Sequence, residues 1–295
     1  MNSQNRTDSI RQCGLIGNPV GHTLSPVIHN RLAQAFGHNL EYQPMQVEPE
    51  DLEKTVREYV AGCMAGCNVT VPYKSAVIAH LDCLDSLAKE IGAVNTIVPT
   101  AEGLKGYNTD MPGLLRAMEE DGVKIRGEQV LILGAGGVAR AVALLMLKEG
   151  AKEVYLLNRT LEKAETIVQE MQAVMGCTNI HALQLEEYNQ LPLGHNYLAI
   201  QATSVGLYPC VERAVIEDVE FYKRIHTGYD LIYRPAETKF MKFVKAQGGK
   251  AYNGLKMLLY QAVIAYELWH RVEIPKELAQ QTYQVLKDAV EQRKE

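Results

Sequence analysis

The sequence predicts an α/β protein with two α/β domains, and three observations carry this prediction. Strand-like apolar segments alternate with helical segments along most of the chain. One of these strands, residues 130–133, runs directly into a glycine-rich turn that begins at Gly134, and an apolar helical segment follows from Ala139. The length of 295 residues exceeds that of most single domains, so two domains are the expected number.

The composition argues against several classes of protein. The formal net charge is −5, which is unfavourable for binding nucleic acid through a basic surface. The first twelve residues are polar and no apolar run approaches a membrane span, so neither a secretory leader nor a membrane anchor is expected. The six cysteines lack the spacing of a disulfide framework or a metal site. We therefore expect a metal-free cytoplasmic protein.

The N-terminal domain is expected to comprise residues 1–122 and to contain an open sheet. Its strand-like segments are residues 13–17, 45–47, 66–71 and 93–98. Its helical segments are residues 25–36, 49–61, a short segment opening at Pro72, and a segment from Pro112 to about Asp121. In the second of these helices, Leu52, Val56 and Tyr59 form one apolar stripe.

Polar side chains repeatedly follow the strands of this first domain. They are Ser25, Thr70, Lys74, Asn95 and Asp110. Ligands of open α/β sheets bind at the carboxyl ends of strands, so these side chains are candidate ligand contacts. In an extended loop Thr23 points the same way as Ser25, and two hydroxyl groups at a helix N-terminus suit a ligand carboxylate.

Several of these candidates also have an ordinary structural interpretation. Ser25 before Pro26 is a typical N-cap, and Asp110 lies near the N-cap of the helix that follows it. Lys74 falls in the first turn of a predicted short helix, where the helix dipole disfavours its positive charge. A solvated lysine is the alternative interpretation of Lys74.

Residues 123–253 are predicted to form a doubly wound parallel sheet of the Rossmann type. Gly134, Gly136 and Ala139 match the spacing G-x-G-x-x-G/A. This spacing lets the backbone approach a pyrophosphate, whose charge is met by N–H groups at the helix start. An ordinary tight turn between strand and helix is the alternative. The later strand-like segments of this domain are residues 152–157, 197–202, 228–233 and 250–253.

The segment that follows the next strand favours NADP over NAD. Asn158, Arg159 and Thr160 lie about twenty residues past the glycine turn, where NAD-binding proteins place an acidic residue on the ribose. Arg159, with Lys163 one turn later, instead offers positive charge to a 2′-phosphate.

Residues 254–295 are predicted to form two C-terminal helices. In the first of them Gln261 lies on the same stripe as the apolar Leu258 and Ala265. A polar group on such a face needs a hydrogen-bond partner, which is either the backbone or a ligand.

Seven stretches, in order, resemble the shikimate dehydrogenase family, and the resemblance covers residues 14–269. They are GNPVGHTLSP (residues 17–26) with His29 and Asn30, NVTVPYK (68–74), GAVNT (92–96), GYNTD (106–110), GAGG (134–137), NRT (158–160) and residues 254–261. The resemblance implies reversible reduction of 3-dehydroshikimate to shikimate with NADPH, in the pathway to chorismate and the aromatic amino acids. It also implies C-terminal helices that return to the first domain, a substrate in the cleft between domains, and a monomer or homodimer.

The resemblance assigns roles to individual residues. Lys74 and Asp110 match the catalytic pair, and Thr23 and Ser25 would hold the substrate carboxylate. The other implied substrate contacts, besides Lys74 and Asp110 themselves, are Thr70, Asn95, Tyr233 and Gln261. The implied cofactor contacts are Gly134, Ala135, Gly136, Gly137, Val138, Asn158, Arg159, Thr160 and Lys163, with backbone near Leu231 and Gly254.

Thr23 leaves the choice of substrate open. The family usually has serine at this position, and threonine keeps the hydroxyl group while adding a methyl group. Members that use quinate vary around this loop, so a quinate or dual quinate/shikimate dehydrogenase is the first alternative. A non-catalytic ligand-responsive protein on the same scaffold is the second, although such a protein has no need of Lys74, Asp110 and Arg159 together.

Overall fold

A computed structural model describes residues 11–192 and 196–292 of the chain. The chain forms two compact units, of which the first comprises residues 1–113 and 258–295 and the second residues 114–257. Each unit contains a six-stranded sheet with helices, which confirms the predicted α/β class. Among the described residues, no helix combines the length and the apolar character needed to span a membrane.

The first unit is built on a mixed sheet. Its strands are β1 (Arg11–Gly17), β2 (Leu40–Gln46), β3 (Met64–Val69), β4 (Cys83–Leu84), β5 (Thr96–Thr100) and β6 (Gly103–Tyr107), in the order β2-β1-β3-β5-β6-β4. β1 pairs in parallel with β2 and β3, whereas β5 runs antiparallel to β3 and β6. The amino end of β5 therefore lies at the sheet edge where β3 ends.

The second unit is built on a fully parallel sheet. Its strands are β7 (Gln129–Leu133), β8 (Glu153–Asn158), β9 (Ile180–Gln184), β10 (Tyr197–Gln201), β11 (Ile225–Asp230) and β12 (Lys250–Tyr252), in the order β12-β11-β10-β7-β8-β9. The strand order reverses between β7 and β10. In doubly wound sheets this reversal is the point at which ligands bind.

Eleven α-helices accompany the sheets among the described residues. They are α1 (Ser25–Phe36), α2 (Leu52–Lys54), α3 (Ala61–Cys63), α4 (Ser86–Ile91), α5 (Asp110–Glu120), α6 (Ala139–Lys148), α7 (Leu161–Met175), α8 (Val219–Tyr222), α9 (Lys239–Ala246), α10 (Leu255–His270) and α11 (Lys276–Gln292). Leu258–Glu295, which holds most of α10 and all of α11, belongs to the first unit.

The predicted helix at residues 49–61 differs from the observed one in its apolar face. A 3₁₀ turn precedes α2, and a π-helical turn, Thr55–Val60, separates α2 from α3. The wider π turn rotates the following residues around the helix axis. Val56 and Val60 are consequently buried, whereas Tyr59 is 41% exposed, so the predicted stripe is wrong at Tyr59.

Several strands differ from the predicted boundaries; β11, for example, spans Ile225–Asp230 rather than residues 228–233. β2 begins at Leu40 rather than Met45, because it pairs with β1 along its whole length. Its Pro44 is tolerated since β2 is the edge strand of the sheet. β5 begins at Thr96, so Asn95 precedes a strand instead of lying within one.

A buried histidine lies in the core of the first unit. The ring of His29 on α1 stacks on Tyr42 with 4.3 Å between ring centroids, and it contacts Trp269 at 5.0 Å. Burial, with a smaller effect from His270, lowers the pKa of His29 to about 3. His29 is therefore neutral in the folded protein over the range in which an unfolded histidine, with a pKa near 6.5, becomes charged.

This difference predicts that the first unit loses stability in acid. Since the folded pKa lies below the unfolded one, the contribution of neutral His29 is complete above about pH 6.5 and is lost as the pH falls below it. Between pH 7 and pH 5 the free energy of unfolding should fall by about 2 kcal/mol more for the wild-type protein than for His29→Phe. Urea unfolding followed by the fluorescence of Trp269, the single tryptophan, measures this difference. Equal losses in the two proteins would contradict the assignment.

Candidate active site

Thr23 and Ser25 lie side by side at the start of α1. Thr23 Oγ1 donates to Ser25 Oγ at 3.1 Å and accepts from the backbone N–H of Ser25 at 3.2 Å. The helix begins at Ser25 with Leu24 as its N-cap, and this N-cap residue makes no side-chain cap hydrogen bond. The N-cap interpretation of Ser25 is therefore wrong, and its hydroxyl group belongs to a pair of hydroxyl groups beside the helix N-terminus. Such a pair suits an anionic group.

Lys74 and Asp110 form an ion pair. Lys74 Nζ donates to Asp110 Oδ2 at 2.6 Å, and the two side chains are 32% and 16% exposed. The expected short helix around Lys74 is wrong, because the 3₁₀ helix Ala76–His80 begins two residues later. Lys74 lies in the turn before this 3₁₀ helix, so the helix-dipole argument does not apply to it. The charged group beside the Lys74 ammonium is the carboxylate of Asp110.

Asp110 is the first residue of α5, yet it does not cap that helix. Asn108 Oδ1 accepts from the backbone N–H of Asp110 at 3.1 Å and of Met111 at 3.5 Å. Asn108 thus supplies the cap that the sequence placed near Asp110. The carboxylate of Asp110 is therefore available to bind Lys74.

Asn95 lies in a buried network of polar side chains. Its Oδ1 accepts from the backbone N–H of Thr109 at 2.7 Å and from Thr96 Oγ1 at 3.0 Å, while its Nδ2 donates to Thr109 Oγ1 at 3.0 Å. Asn68 Nδ2 donates to Thr96 Oγ1 at 3.0 Å, and Tyr42 donates to Asn68 Oδ1 at 2.8 Å. These bonds fix the orientation of the Asn95 side chain.

Four members of this network were not singled out from the sequence. They are Tyr42, Asn68, Thr96 and Thr109, and all are buried. The available signal was Asn68, a polar residue between Cys67 and Val69 in an otherwise apolar strand, since buried polar groups require partners.

Thr70 and Gln261 complete the candidate contacts of the first unit. Thr70 follows β3, and its backbone N–H donates to Ile16 O at 2.8 Å. Gln261 lies on α10, and its Nε2 donates to Leu258 O at 2.8 Å. The side-chain amide of Gln261 is therefore hydrogen-bonded to the backbone. Tyr233 lies in the second unit, after β11.

The glycine turn connects β7 to α6 at the point of strand-order reversal. Gly134 has a φ of +106°, and a Cβ there would lie 2.4 Å from Thr203 Cγ2, so only glycine fits. At Gly136 and Gly137 a Cβ would meet nothing within 4 Å. The turn therefore has open space beside its backbone, and Val138 at the N-cap of α6 has no side-chain cap. A dinucleotide pyrophosphate fits this arrangement.

Asn158 ties this turn to the segment after β8. Its Oδ1 accepts from the backbone N–H of Ala135 at 3.1 Å, and its Nδ2 donates to Thr160 O at 2.8 Å. Arg159, Thr160 and Lys163 are exposed around the N-terminus of α7. Two cations at a helix N-terminus can hold a phosphate group.

Leu231 and Gly254 also approach each other in the second unit. A Cβ at Gly254 would lie 2.2 Å from Leu231 O, and the backbone N–H of Gly254 donates to Ile232 O at 3.0 Å. The backbone segments after β11 and β12 are thus in direct contact. Within the described residues, no group of three or more His, Cys, Asp or Glu side chains is placed to hold a metal ion.

Comparison with known proteins identifies the relatives of this chain. Residues 15–97 match the family described as shikimate dehydrogenase substrate binding domain, and residues 116–221 match shikimate/quinate 5-dehydrogenase. The shikimate dehydrogenase (NADP⁺) of Carboxydothermus hydrogenoformans is 42% identical over 262 residues, which are 89% of this chain and 92% of that protein.

Solved structures show the same relationship. A chorismate mutase/shikimate 5-dehydrogenase fusion protein from Clostridium acetobutylicum has a TM-score of 0.86 and 31% identity, over 96% of this chain and 99% of that one. The shikimate 5-dehydrogenase of Thermus thermophilus, in complex with NADP(H) and shikimate, has a TM-score of 0.81 and 32% identity, over 94% and 99% of the two chains. The protein described here belongs to the shikimate dehydrogenase family.

Proposed function

We propose that this protein catalyses the reversible reduction of 3-dehydroshikimate to shikimate with NADPH. The observation that carries the proposal is the Lys74–Asp110 ion pair, 2.6 Å long, in a unit that also presents the paired hydroxyl groups of Thr23 and Ser25. The glycine turn at Gly134 supports the dinucleotide part of the reaction. The relatives named for this NADP-dependent activity support the choice of substrate and cofactor.

Lys74 is the proposed acid–base residue. When bound, NADPH supplies the hydride that adds to the substrate carbonyl carbon. Negative charge then develops on the carbonyl oxygen, and the Lys74 ammonium group stabilises that charge and donates the proton. In the oxidation direction the amine of Lys74 accepts the proton of the substrate hydroxyl group. Asp110 holds Lys74 and the reacting hydroxyl group in register, which its 2.6 Å contact with Lys74 supports.

The remaining polar groups of the first unit are proposed to bind the substrate. The hydroxyl groups of Thr23 and Ser25 receive the carboxylate, which the adjacent start of α1 favours. Thr70, Asn95 and Gln261 bind the ring hydroxyl groups, and Tyr233 is a further proposed substrate contact. The hydrogen bonds that orient Asn95 support this role, because a preformed contact loses less entropy on binding.

The residues of the second unit are proposed to bind NADP. Residues 134–138 receive the pyrophosphate at the start of α6, with backbone contacts near Leu231 and Gly254. Arg159, with Asn158, Thr160 and Lys163 of the same segment, receives the 2′-phosphate. We further propose that residues 1–122 form the substrate-binding domain together with the C-terminal helices of residues 254–295, and that residues 123–253 form the NADP-binding domain. The enzyme is proposed to act in the cytoplasm as a monomer or homodimer without nucleic-acid or membrane partners.

A quinate-oxidising activity is the second candidate. Thr23 carries a methyl group that serine lacks, and this group changes the shape of the proposed carboxylate site beside Ser25. This changed shape is the observation that favours quinate as a substrate. Shape differences of about one carbon group discriminate substrates by roughly 10–200-fold.

Oxidation of shikimate and of quinate, each with NADP⁺ and with NAD⁺, tests the proposal. We expect kcat/KM to be highest for shikimate with NADP⁺, by about tenfold or more over each of the other three combinations. A higher value for quinate would favour the second candidate. Binding of shikimate without turnover in any combination would instead indicate a ligand-responsive protein and contradict the proposed activity.

A further inference from the structure

Gln201 and Asp230 are fully buried polar side chains at the carboxyl ends of β10 and β11. The proposed function gives neither of them a role. Buried polar groups need hydrogen-bond partners, and the partners show what such groups hold in place. Here most of the partners lie in the two segments that leave these strands.

Gln201 holds the segment after β10. Its Oε1 accepts from the backbone N–H of Thr203 at 2.5 Å, and its Nε2 donates to Val205 O at 3.1 Å. Thr203 in turn packs on the glycine turn, since a Cβ at Gly134 would lie 2.4 Å from Thr203 Cγ2. The segment that Gln201 fixes therefore packs directly against the glycine turn.

Asp230 holds the segment after β11. Thr238 Oγ1 donates to its Oδ2 at 2.5 Å, and the backbone N–H of Ile232 donates to its Oδ1 at 2.9 Å. Gln201 Nε2 also lies 3.3 Å from Asp230 Oδ1, so the two buried side chains form one network. The segment that Asp230 fixes includes Leu231, whose backbone lies against Gly254.

We propose that Gln201 and Asp230 are positioning residues that hold segments 202–206 and 231–238 in the conformation that receives NADP. This inference rests on the proposed function, because it takes the glycine turn as the cofactor site. Neither side chain needs to touch the cofactor, since each acts through the backbone of its segment.

The ionised form of Asp230 is the form that fits this network. Its three partners all donate hydrogen bonds, so a proton on the carboxyl group displaces one of them. Burial, which outweighs these hydrogen bonds, raises the pKa of Asp230 to about 6. Tyr222 on α8 is a titratable side chain that interacts electrostatically with it. Cofactor binding should therefore weaken as Asp230 becomes protonated.

The test is the Kd for NADP⁺, measured by titration calorimetry for the wild-type protein and Asp230→Asn. At pH 8 the Kd of the variant should be about tenfold higher, the effect of losing one hydrogen bond to a charged group. At pH 5.5 the ratio should fall to about threefold, because most of the wild-type carboxyl groups are then protonated. The 2′-phosphate of NADP⁺ also titrates near pH 6, but it affects both proteins equally and cancels in the ratio.

Two further variants make the result specific. Gln201→Met removes the hydrogen bonds to Thr203 and Val205 and should also raise the Kd. Thr227→Val is the matched control, because Thr227 is buried on β11 and hydrogen-bonded to His226, before the carboxyl end of the strand. Its Kd should equal that of the wild-type protein.

The inference is overturned by a ratio near one at pH 8, by an equal ratio at both pH values, by an unchanged Kd for Gln201→Met, or by a comparable rise in Thr227→Val. These results leave the proposed function standing, provided that the wild-type protein binds NADP⁺ and oxidises shikimate. Failure of the wild-type protein to bind NADP⁺ would overturn both.

Discussion

Replacing Lys74 by alanine is expected to lower kcat for shikimate oxidation by about 10²–10⁴-fold, while the protein remains folded. This is the usual effect of removing a well-placed acid–base group. The ammonium group lies 2.6 Å from Asp110 and is partly exposed, so it can meet a ligand and still be held by the carboxylate. Initial rates at saturating shikimate and NADP⁺ measure the change.

The loss of activity should be separable from loss of stability. A partly exposed ion pair contributes roughly 0–1 kcal/mol, so the thermal midpoint of Lys74→Ala should change little. Lys89→Ala is the matched control, because Lys89 is an exposed lysine on α4 in the same unit. Near-normal kcat in Lys74→Ala at saturating substrate would show that Lys74 is not the acid–base residue.

Asp110 provides an internal check on this assignment. If Asp110 acts through Lys74, then Asp110→Asn should have a much smaller effect in the Lys74→Ala background than in the wild-type protein. Independent, additive effects on kcat would instead assign Asp110 a separate role with the substrate.

The sequence predicted the two α/β units and the glycine turn, but not the local geometry of the candidate site residues. The Rossmann turn was predictable because the glycine spacing, the preceding strand and the following helix all indicate the same strand–turn–helix unit, in which Gly134 permits the tight turn. The surroundings of Lys74 were not, since Pro72 is compatible with both a helix start and a turn, and the 3₁₀ helix begins only at Ala76. Asn108 likewise takes over the cap because it can accept two backbone N–H groups, which spacing alone does not reveal.

Two features were beyond the reach of periodicity. A π turn shifts the buried face from Tyr59 to Val60, and the 3.6-residue repeat used to find helices assumes that no such turn is present. The network around Asn95 and Asn68 joins residues distant in sequence through side-chain hydrogen bonds. Such pairings depend on strand order, which the sequence does not display.

Replacing Arg159 by alanine is expected to raise the KM for NADP⁺ about 10–100-fold and to change the KM for NAD⁺ little. Hydrogen bonds to charged groups contribute about 1.5–3 kcal/mol, and NAD⁺ lacks the 2′-phosphate that would receive them. Because Arg159 is exposed, high salt should reduce the difference between the two cofactors. Oxidation of shikimate at varied concentrations of each cofactor measures both constants.

This variant tests charge rather than loop structure. Asn158 connects the segment that carries Arg159 to the glycine turn, because its side chain accepts from Ala135 N–H and donates to Thr160 O. The Arg159 side chain takes no part in these hydrogen bonds. Arg159→Ala therefore removes the cation and leaves the segment anchored. Arg126→Ala, at an exposed arginine before β7, controls for the loss of one positive charge. Equal increases in the KM values for NADP⁺ and NAD⁺ would mean that Arg159 supports the turn as a whole, and the selectivity for NADP would then need another source.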